Sequence, residues 1–510
     1  MHIVDPSRPG ELRLAVSLQE LIERATAGKE LDRNRVFRPS WFYPLIEDPF
    51  WLWCEYRAPS EERFDETTAF NRHRMQLGSE WEDRYVSNNF PTAHVIESRW
   101  GEAALRETLD AMLRGESAIS GGALWLLGEG IYGKADILVR CDDRSSDLGS
   151  YHYRVKEVKN SKEVKEYHQL QAAAYNWMLG EIQGFTPTSF DVVLREGEDE
   201  VNVAHDSMFP QVDELLTQWR AIRDEELQLE PIGYDSTKSP WRQYANQIVL
   251  DRRDISLLPG VGAKTADDWR KLGINTLDDV LAAGPDGDLG RTPKSDCYYH
   301  ALAYDQNRPV FRPGESAQIE RKPRQVHFDV EDTSVLDGEL VTRPHTYMVG
   351  VATPEGETTI WTAHGQDDEA RMWTDFLDWL GDPQEVALYC WTMYESTKLK
   401  QAAIDHPALA ERLIGAEAAL IDLKEEIKHR PYFPVTSYSI KKIAPVCGFH
   451  WSQGDVDGQS AQLMYRDWLK TGDDSIIRRV EQYNREDVLA MVAVDQYVCA
   501  LTPEPPRTCR

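Results

Sequence analysis

The chain has 510 residues, of which 41% are hydrophobic and 28% are charged, so it is long enough to build two or more separate cores. No stretch stays apolar long enough to cross a bilayer, and the first residues lack the features of a secretory signal, so we expect a cytoplasmic protein with no membrane partner. The net charge of −29 argues against nucleic-acid affinity through bulk positive charge, although metal ions can neutralise phosphate beside an acidic protein.

The pattern of predicted elements indicates a multidomain α/β protein. Residues 1–232 mix helices with a short β-rich centre, and the turn-rich segment 233–253 predicts a linker. Residues 254–284 form a compact helical piece, followed by a second predicted linker at 285–322. Strands and helices then alternate over 323–503, as expected of an α/β domain.

The first region carries acidic and basic side chains on two predicted strands and a helix. GIYGKADILVR predicts a strand that contains Asp136, and RVKEVKNSK predicts a second strand that pairs with it as a hairpin. Glu157 and Lys159 are two residues apart and therefore share a face of that second strand. On the following helix, Gln171 and Tyr175 are four residues apart and lie on one face. Converging carboxylates and a lysine suit metal-assisted phosphodiester cleavage.

The order G-x-x-D, E-x-K and Q-x-x-x-Y resembles the RecB-like branch of the PD-(D/E)XK nuclease superfamily. The resemblance implies a restriction-endonuclease-like fold for residues 1–232, with Asp136 and Glu157 as metal ligands. It also implies catalytic roles for three further side chains, which are Lys159, Gln171 and Tyr175.

An upstream helix resembles another motif of the same superfamily. LGSEWEDRYV is similar to its early G-x-x-h-E pattern, which would make Glu82 an auxiliary metal ligand. Glu80 lies two residues earlier and remains an alternative for the same role.

Many relatives hold an iron–sulfur cluster with one early cysteine and three later ones. Cys54 stands where the early cysteine would be, and SPWRQY resembles the later Cys-Pro-Trp stretch. Three other residues occupy the places of the later cysteines, namely Ser236, Ser239 and Tyr244. Because serine and tyrosine cannot replace thiolates on iron, we expect no iron–sulfur cluster.

The middle piece predicts a helix, a tight turn and a second helix. Its sequence, ISLLPGVGAKTADDWRKLGINTLDDVLAAG, resembles a helix-hairpin-helix with Gly260 and Gly262 in the turn. The turn of such a module directs backbone N–H groups at a DNA phosphate, and Lys264 could add a positive charge. A purely structural packing unit is the alternative.

Two carboxylates share one face of a predicted strand in the third region. In VHFDVEDTSV the apolar residues alternate with polar ones, which places Asp329 and Glu331 side by side. Buried like charges one pleat apart must protonate or find a cation, and a divalent metal is the usual solution. The alternative is an edge strand with both acids in water.

Two later segments complete a second motif. VALYCWTMYESTKLKQAA predicts a strand and a helix, and RRVEQYNREDVLAMVAVDQYV predicts a helix with Tyr483 and Asp487 on one face. With Asp329 and Glu331 they resemble the tyrosine-bearing DEDD exonucleases of the ribonuclease H-like fold. The resemblance implies that the acids bind two metal ions and that Tyr483 orients the nucleophile.

One acid departs from the DEDD pattern. The second motif should supply an aspartate, but here it offers Glu395, with Asp422 as a rival. SYSIKKIAPVCGFHW also resembles a segment of these domains, and its Lys441 and Lys442 would suit phosphate unless they form a solvated helix face.

The combination resembles a prokaryotic family that joins these modules. It implies a deoxyribonuclease dependent on Mg²⁺ or Mn²⁺ with two active sites, acting as an exonuclease on single-stranded or end-exposed DNA in repair, recombination or defence. RNA is a further candidate substrate, and the lack of a GxxxxGK[ST] motif means that unwinding would need a partner helicase. The alternatives are a non-catalytic scaffold with relic motifs and a single-site enzyme with one relic domain.

Overall fold

The computed structural model describes residues 2–4, 12–14, 16–32, 35–195, 199–285, 294–333, 343–454 and 456–501. The chain divides into two compact units. The first comprises Met1–Thr67 and Asn71–Ala245, and the second comprises Thr68–Phe70 and Asn246–Arg510. Among the described residues, none of the helices has both the length and the apolar character that crossing a membrane requires.

The first unit combines a mixed sheet with helices. Its strands are β1 (His2–Val4), β2 (Leu12–Leu14), β3 (His94–Val95), β4 (Ala118–Leu126), β5 (Ile131–Cys141), β6 (His152–Lys159), β7 (Ser189–Leu194) and β8 (Glu200–Ala204). Its helices are α1 (Leu18–Thr26), α2 (Phe42–Glu47), α3 (Pro49–Arg57), α4 (Ala69–Asn89), α5 (Glu102–Arg114), α6 (Glu166–Gln183) and α7 (His205–Arg223). The first two residues of α4 belong to the second unit, and helix α8 (Arg242–Asp251) also spans the boundary between the units.

The larger sheet of the first unit has the order β3-β4-β5-β6-β7-β8. As the sequence predicts, β5 and β6 pair as antiparallel neighbours, with Ile137 opposite Lys156. Strands β6 and β7 are parallel and are connected through α6. Because β6 is an inner strand and α6 packs on it, Glu157 is fully buried where the two elements meet.

The second unit is also a mixed α/β structure. Its strands are β9 (Arg324–Asp332), β10 (Thr346–Ala352), β11 (Thr358–Thr362), β12 (Val386–Cys390) and β13 (Leu420–Asp422). Its helices are α9 (Ala263–Lys271), α10 (Leu277–Ala283), α11 (Lys294–Gln306), α12 (Glu369–Leu380), α13 (Tyr394–Asp405), α14 (Ala410–Ala418), α15 (Leu423–Ile427), α16 (Ile440–Val446), α17 (Gly458–Thr471) and α18 (Asp474–Ala500).

The sheet of the second unit has the order β11-β10-β9-β12-β13. Strand β9 is its central strand, antiparallel to β10 and parallel to β12. The predicted alternation on β9 is present, since Val326, Phe328 and Val330 enter one hydrophobic core. Helix α18 packs on β9 and β10, and it carries Tyr483 and Asp487. The central position of β9 excludes the exposed edge strand that the sequence left open.

Helices occupy parts of both segments that the sequence analysis assigns to linkers. Segment 233–253 contains α8, which buries Ala245 and Val249 four residues apart. Segment 285–322 contains α11, which buries Cys297 and Ala301 with the same spacing. In both helices the apolar stripe is short and is surrounded by polar residues. The turn residues therefore dominate the local sequence pattern, and the sequence does not predict a helix.

The basic segment before β9 is engaged inside the second unit. Arg321 donates through Nη1 to the Asp495 Oδ2 atom at 2.8 Å, and His327 Nε2 lies 3.1 Å from the same oxygen. Arg324 donates to the carbonyl of Trp379 at 3.2 Å and covers its ring. Burial raises the pKa of Asp495, but hydrogen bonds from Arg321 and His327 outweigh it and lower that pKa to about 2. Both arginines therefore stabilise the fold.

We expect Asp495→Asn to lower the free energy of unfolding by roughly 2–3 kcal/mol at neutral pH, because Arg321 loses its charged partner. The pKa of Asp495 is depressed in the folded state, so its contribution is present above about pH 4 and is lost as pH falls through about 2. Urea unfolding followed by tryptophan fluorescence measures the difference. Asp378→Asn, at an exposed ion pair with Arg412, is the control and should change stability little. Equal stabilities of parent and Asp495→Asn at pH 7 would contradict the assignment.

Candidate active sites

Three carboxylates converge in the second unit. Asp329 and Glu331 project from β9 and Asp487 from α18, and one possible ligand atom of each lies within 4.8 Å of the others. Burial raises the pKa of Asp329 well above its usual range, and the charges of Glu331 and Asp487 raise it further. Burial and Asp487 have the same effect on the pKa of Glu331. This concentration of buried negative charge fits a divalent cation with oxygen ligands.

Lys441 supplies positive charge beside these acids. Its Nζ atom donates to the Asp487 Oδ1 atom at 2.7 Å, and Trp451 Nε1 donates to the same oxygen at 2.6 Å. The ammonium lies 3.9 Å from the centroid of the Trp451 ring and 4.4 Å from that of Tyr483. Burial and the Asp487 charge raise the pKa of Tyr483, so its hydroxyl is protonated at neutral pH. Lys442, the next residue of α16, is exposed.

Glu395 and Asp422 differ in their surroundings. Glu395 is 4% exposed, and burial raises its pKa to about 7. Within the described part of the chain, its Oε2 atom has no hydrogen-bond partner. Its charge also raises the pKa values of Asp329 and Glu331. The Asp422 carboxylate instead accepts a hydrogen bond from the Glu425 backbone N–H at 2.9 Å and caps α15. These contacts favour Glu395 as the additional acid beside the cluster.

Sequence reasoning missed Asn484, which is completely buried. Its Nδ2 atom donates to the Asp329 Oδ2 atom at 2.6 Å. A Cβ atom on Gly350, the β10 residue opposite Asp329, would lie only 1.8 Å from Asn484 Oδ1. Gly350 thus provides the space in which Asn484 orients the Asp329 carboxylate. No local sequence pattern indicates this contact, because Asn484 and Asp329 are 155 residues apart in the chain.

A second group of charged side chains meets in the first unit. Lys159 Nζ donates to the Glu157 Oε2 atom at 2.7 Å and lies 3.5 Å from the Asp136 Oδ2 atom. The Asp136 backbone N–H donates to Glu157 Oε1 at 3.2 Å, and the Val158 N–H donates to Asp136 Oδ2 at 2.8 Å. The structure therefore brings the predicted Asp, Glu and Lys together at one point of the β5–β6 pair.

Burial and repulsion perturb these groups strongly. Burial raises the pKa of Glu157 to about 8, and the Asp136 charge adds to this effect. Burial lowers the pKa of Lys159, but the charges of Asp136 and Glu157 outweigh it and raise that pKa above its usual value. The lysine is therefore a permanent cation at neutral pH, which suits contact with phosphate rather than proton transfer.

Helix α6 adds its two predicted residues to this group. Gln171 Nε2 donates to Glu157 Oε2 at 3.2 Å. Tyr175 is buried against β5, where a Cβ atom on Gly133 would lie 2.7 Å from its hydroxyl oxygen. Gln171 thus contacts the acid directly, while Tyr175 packs beside it.

The two candidate glutamates of α4, Glu82 and Glu80, differ in their surroundings. Burial and the Asp136 charge raise the pKa of Glu82 to about 7, so Glu82 lies within electrostatic range of the site. Glu80 is exposed and accepts a hydrogen bond from Gln76 at 2.8 Å. These environments favour Glu82 over Glu80.

Two of the residues that stand where relatives have cluster cysteines form hydrogen bonds with the backbone. Ser236 donates to the Gly233 carbonyl at 2.6 Å, and Ser239 Oγ accepts from the Glu66 N–H at 2.9 Å. The Cys54 thiol is buried, and burial raises its pKa. Burial raises the pKa of Tyr244, and the nearby Cys54 thiol raises it further. One thiol with hydroxyl groups is not a donor set for an iron–sulfur cluster.

The glycine-rich turn precedes α9 and is open to solvent. Gly260 is exposed with φ of +82°, a conformation that favours glycine. Gly262 is the N-cap of α9, and Lys264 is exposed in its first turn. A side chain at either glycine would meet no atom within 4 Å. The three predicted residues therefore share one accessible helix terminus.

Comparison with known proteins supports the fold of the second unit. Residues 326–499 match a family model described as RNase_H superfamily. No curated protein matches the chain. The solved family B DNA polymerase from the hyperthermophilic archaeon Pyrobaculum calidifontis is 14% identical over 44% of this chain, with a TM-score of 0.26, and the similarity spans 37% of the polymerase chain. The match to the family model indicates a ribonuclease H-like fold for residues 326–499, and domains with this fold are typically metal-dependent nucleases.

We expect Asn484→Ala to weaken Mn²⁺ binding at the Asp329 cluster by about 10–100-fold, because the residue that orients a ligand carboxylate is lost. Titration calorimetry on an Asp136→Ala background isolates this cluster. Gln496→Ala, an exposed change on the same helix, is the matched control. Unchanged Mn²⁺ affinity in a folded Asn484→Ala protein would contradict this role.

We expect Mn²⁺ binding at the Glu157 site to strengthen as pH rises through about 7–8, because raised pKa values keep Glu157 and Glu82 protonated below that range. Without metal, Glu157 stabilises the fold fully below about pH 4.5, and this contribution is lost as pH rises through about 8. Calorimetry on an Asp329→Ala background measures the affinity. An affinity independent of pH across this window would contradict the prediction.

Proposed function

We propose that the protein is a divalent-metal-dependent deoxyribonuclease that acts on single-stranded or end-exposed DNA. The observation that carries the proposal is the convergence of Asp329, Glu331 and Asp487 within 4.8 Å in a ribonuclease H-like domain. Buried carboxylates that repel one another have little structural value without a cation. Their oxygen atoms match the ligands that Mg²⁺ and Mn²⁺ prefer.

In the second unit, Asp329, Glu331 and Asp487 would hold the metal, with Glu395 as the additional acid. A bound divalent ion would supply Lewis-acid stabilisation of charge on the phosphate. The protonated Tyr483 hydroxyl can donate a hydrogen bond that orients the attacking water. Lys441 can exchange its contact with Asp487 for a substrate phosphate, because its side chain is 41% exposed. Lys442 adds a second exposed cation on the same helix.

We propose a second active site of the PD-(D/E)XK type in the first unit. The contacts among Asp136, Glu157 and Lys159 support it, since two acids and a buried cation are the groups that this chemistry requires. Glu82 is the candidate auxiliary ligand, and Gln171 holds Glu157 in place. The Lys159 ammonium would steady the charge on a phosphate oxygen.

The proposed substrate is consistent with the net charge of the chain and with the lack of a GxxxxGK[ST] motif in its sequence. With a net charge of −29, the protein should depend on metal ions and local cations for contact with DNA. Single strands and ends are favoured because both sites need a strand that can be splayed, with RNA as the alternative substrate. A helicase partner and a role in repair, recombination or defence remain part of the proposal.

A single-site enzyme is the second candidate. The replacement of the expected aspartate by Glu395 favours it, because a longer ligand changes metal spacing. In that case one domain binds DNA and the other cuts it. A scaffold without any catalysis is the third reading and predicts no Mn²⁺-dependent cleavage.

We expect Asp136→Ala and Asp329→Ala each to abolish one cleavage activity and leave the other with its own product pattern. Loss of a ligand carboxylate removes several kcal/mol of transition-state stabilisation, so each site should slow by orders of magnitude. End-labelled single-stranded DNA and RNA, incubated with Mg²⁺, Mn²⁺ or EDTA, give the readout.

Two exposed aspartates provide matched controls for these substitutions. Asp213→Ala in the first unit and Asp378→Ala in the second should leave both product patterns unchanged. If Asp136→Ala alone removes all cleavage while Asp329→Ala changes nothing, the second unit is a relic. If neither substitution affects cleavage, both assignments are wrong.

A further inference from the structure

A cleft of about 670 Å³ lies within the second unit, between the helical piece and the ribonuclease H-like domain. Pro259 and Gly260 of the glycine-rich turn and His300 of α11 line it from the helical piece and the segment after it. Trp391, Lys424 and Lys428 line it from the ribonuclease H-like domain. We call this space the lysine cleft. Its volume falls in the range of about 300–1,000 Å³ that is typical of ligand pockets.

The lysine cleft lies beside the proposed metal site. Trp391 directly follows Cys390, the last residue of β12, and Lys424 follows Asp422, the last residue of β13. Strands β9, β12 and β13 are parallel, so their carboxyl ends meet at one edge of the sheet. In open α/β sheets, ligands bind outside these ends. Ile440, which also lines the cleft, precedes Lys441 and its contact with Asp487.

The charges around the lysine cleft suit an anionic chain. Lys424 is half-buried, and the Lys428 ammonium forms an ion pair with the exposed carboxylate of Glu425 at 3.0 Å. Asp296, the acid among the described lining residues, forms an ion pair with Arg312 and accepts a hydrogen bond from the Tyr432 hydroxyl. Burial keeps His300 neutral by lowering its pKa to about 3. Among the described residues that line the cleft, two lysines therefore outnumber one acid that is already paired, whereas acids outnumber basic residues in the chain as a whole.

We propose that the lysine cleft binds the single strand next to the phosphate that is cleaved at the Asp329 site. Lys424 and Lys428 contact two successive phosphates, and the turn at Pro259 and Gly260 forms the opposite wall of the path. The helical piece then acts as part of the substrate channel of the second unit. This inference rests on the proposed function and deepens it, because it names how that site holds its strand.

The test measures the affinity of the full chain for a short fluorescent single-stranded DNA, with Ca²⁺ present and over a range of KCl concentrations. Both parent and variants carry Asp136→Ala to weaken binding at the other site. Two lost phosphate contacts should reduce the slope of log K against log salt by about 1.4 and weaken binding roughly tenfold for Lys424→Gln/Lys428→Gln. Lys424→Arg/Lys428→Arg should restore the slope, which separates loss of charge from misfolding.

The matched control is Lys400→Gln/Lys470→Gln, which removes two exposed lysines outside the lysine cleft. It should leave the slope unchanged. An unchanged slope in the Lys424→Gln/Lys428→Gln protein, or an equal loss in the control, overturns the proposal. A lysine-dependent slope in a protein that cleaves no DNA with Mg²⁺ or Mn²⁺ would uphold the cleft and overturn the nuclease assignment. Cleavage of DNA together with an unchanged slope in the Lys424→Gln/Lys428→Gln protein would uphold the nuclease assignment and overturn the role of the lysine cleft.

Discussion

Repulsion among buried carboxylates is the constraint on which both candidate sites depend. In the second unit, Asp329, Glu331 and Asp487 crowd within 4.8 Å, and burial with mutual repulsion raises the pKa values of the first two. In the first unit, Glu157 is fully buried beside Asp136. Each group has a lysine in contact, but one ammonium cannot satisfy all the oxygens. A bound divalent cation would complete the neutralisation.

The scaffold keeps these acids together by placing them on elements that cannot move apart. Asp329 and Glu331 lie on the central strand of a five-stranded sheet, where β10 and β12 fix the backbone on both sides. Asp487 comes from α18, and the same helix is tied to the start of β9 by Asp495 and Arg321. The hydrogen bond from Asn484 to Asp329 adds a second connection between helix and strand. The geometry of the three acids therefore depends on residues outside the cluster itself.

Local periodicity in the sequence was enough to predict the elements that carry the acids. Alternation predicted the β9 face with Asp329 and Glu331, and a spacing of four predicted the shared face of Tyr483 and Asp487. The contact between Asn484 and Asp329 joins residues far apart in the chain, so no local pattern could indicate it. The same holds for Arg321, whose partner Asp495 could only be found in three dimensions. Helices α8 and α11 were missed because their apolar stripes are short.

The exchange of an aspartate for Glu395 can be understood from its position on α13. Glu395 is the second residue of that helix, beyond the end of β12, and its longer side chain can extend from there towards the acids of β9. Its buried Oε2 atom has no hydrogen-bond partner among the described residues, which is costly unless a cation or a water molecule completes the site. To bind a metal ion, Asp422 would first have to break the hydrogen bond with which it caps α15. The unpaired buried oxygen, together with the effect of the Glu395 charge on the pKa values of Asp329 and Glu331, therefore supports the proposed role of this glutamate as a metal ligand.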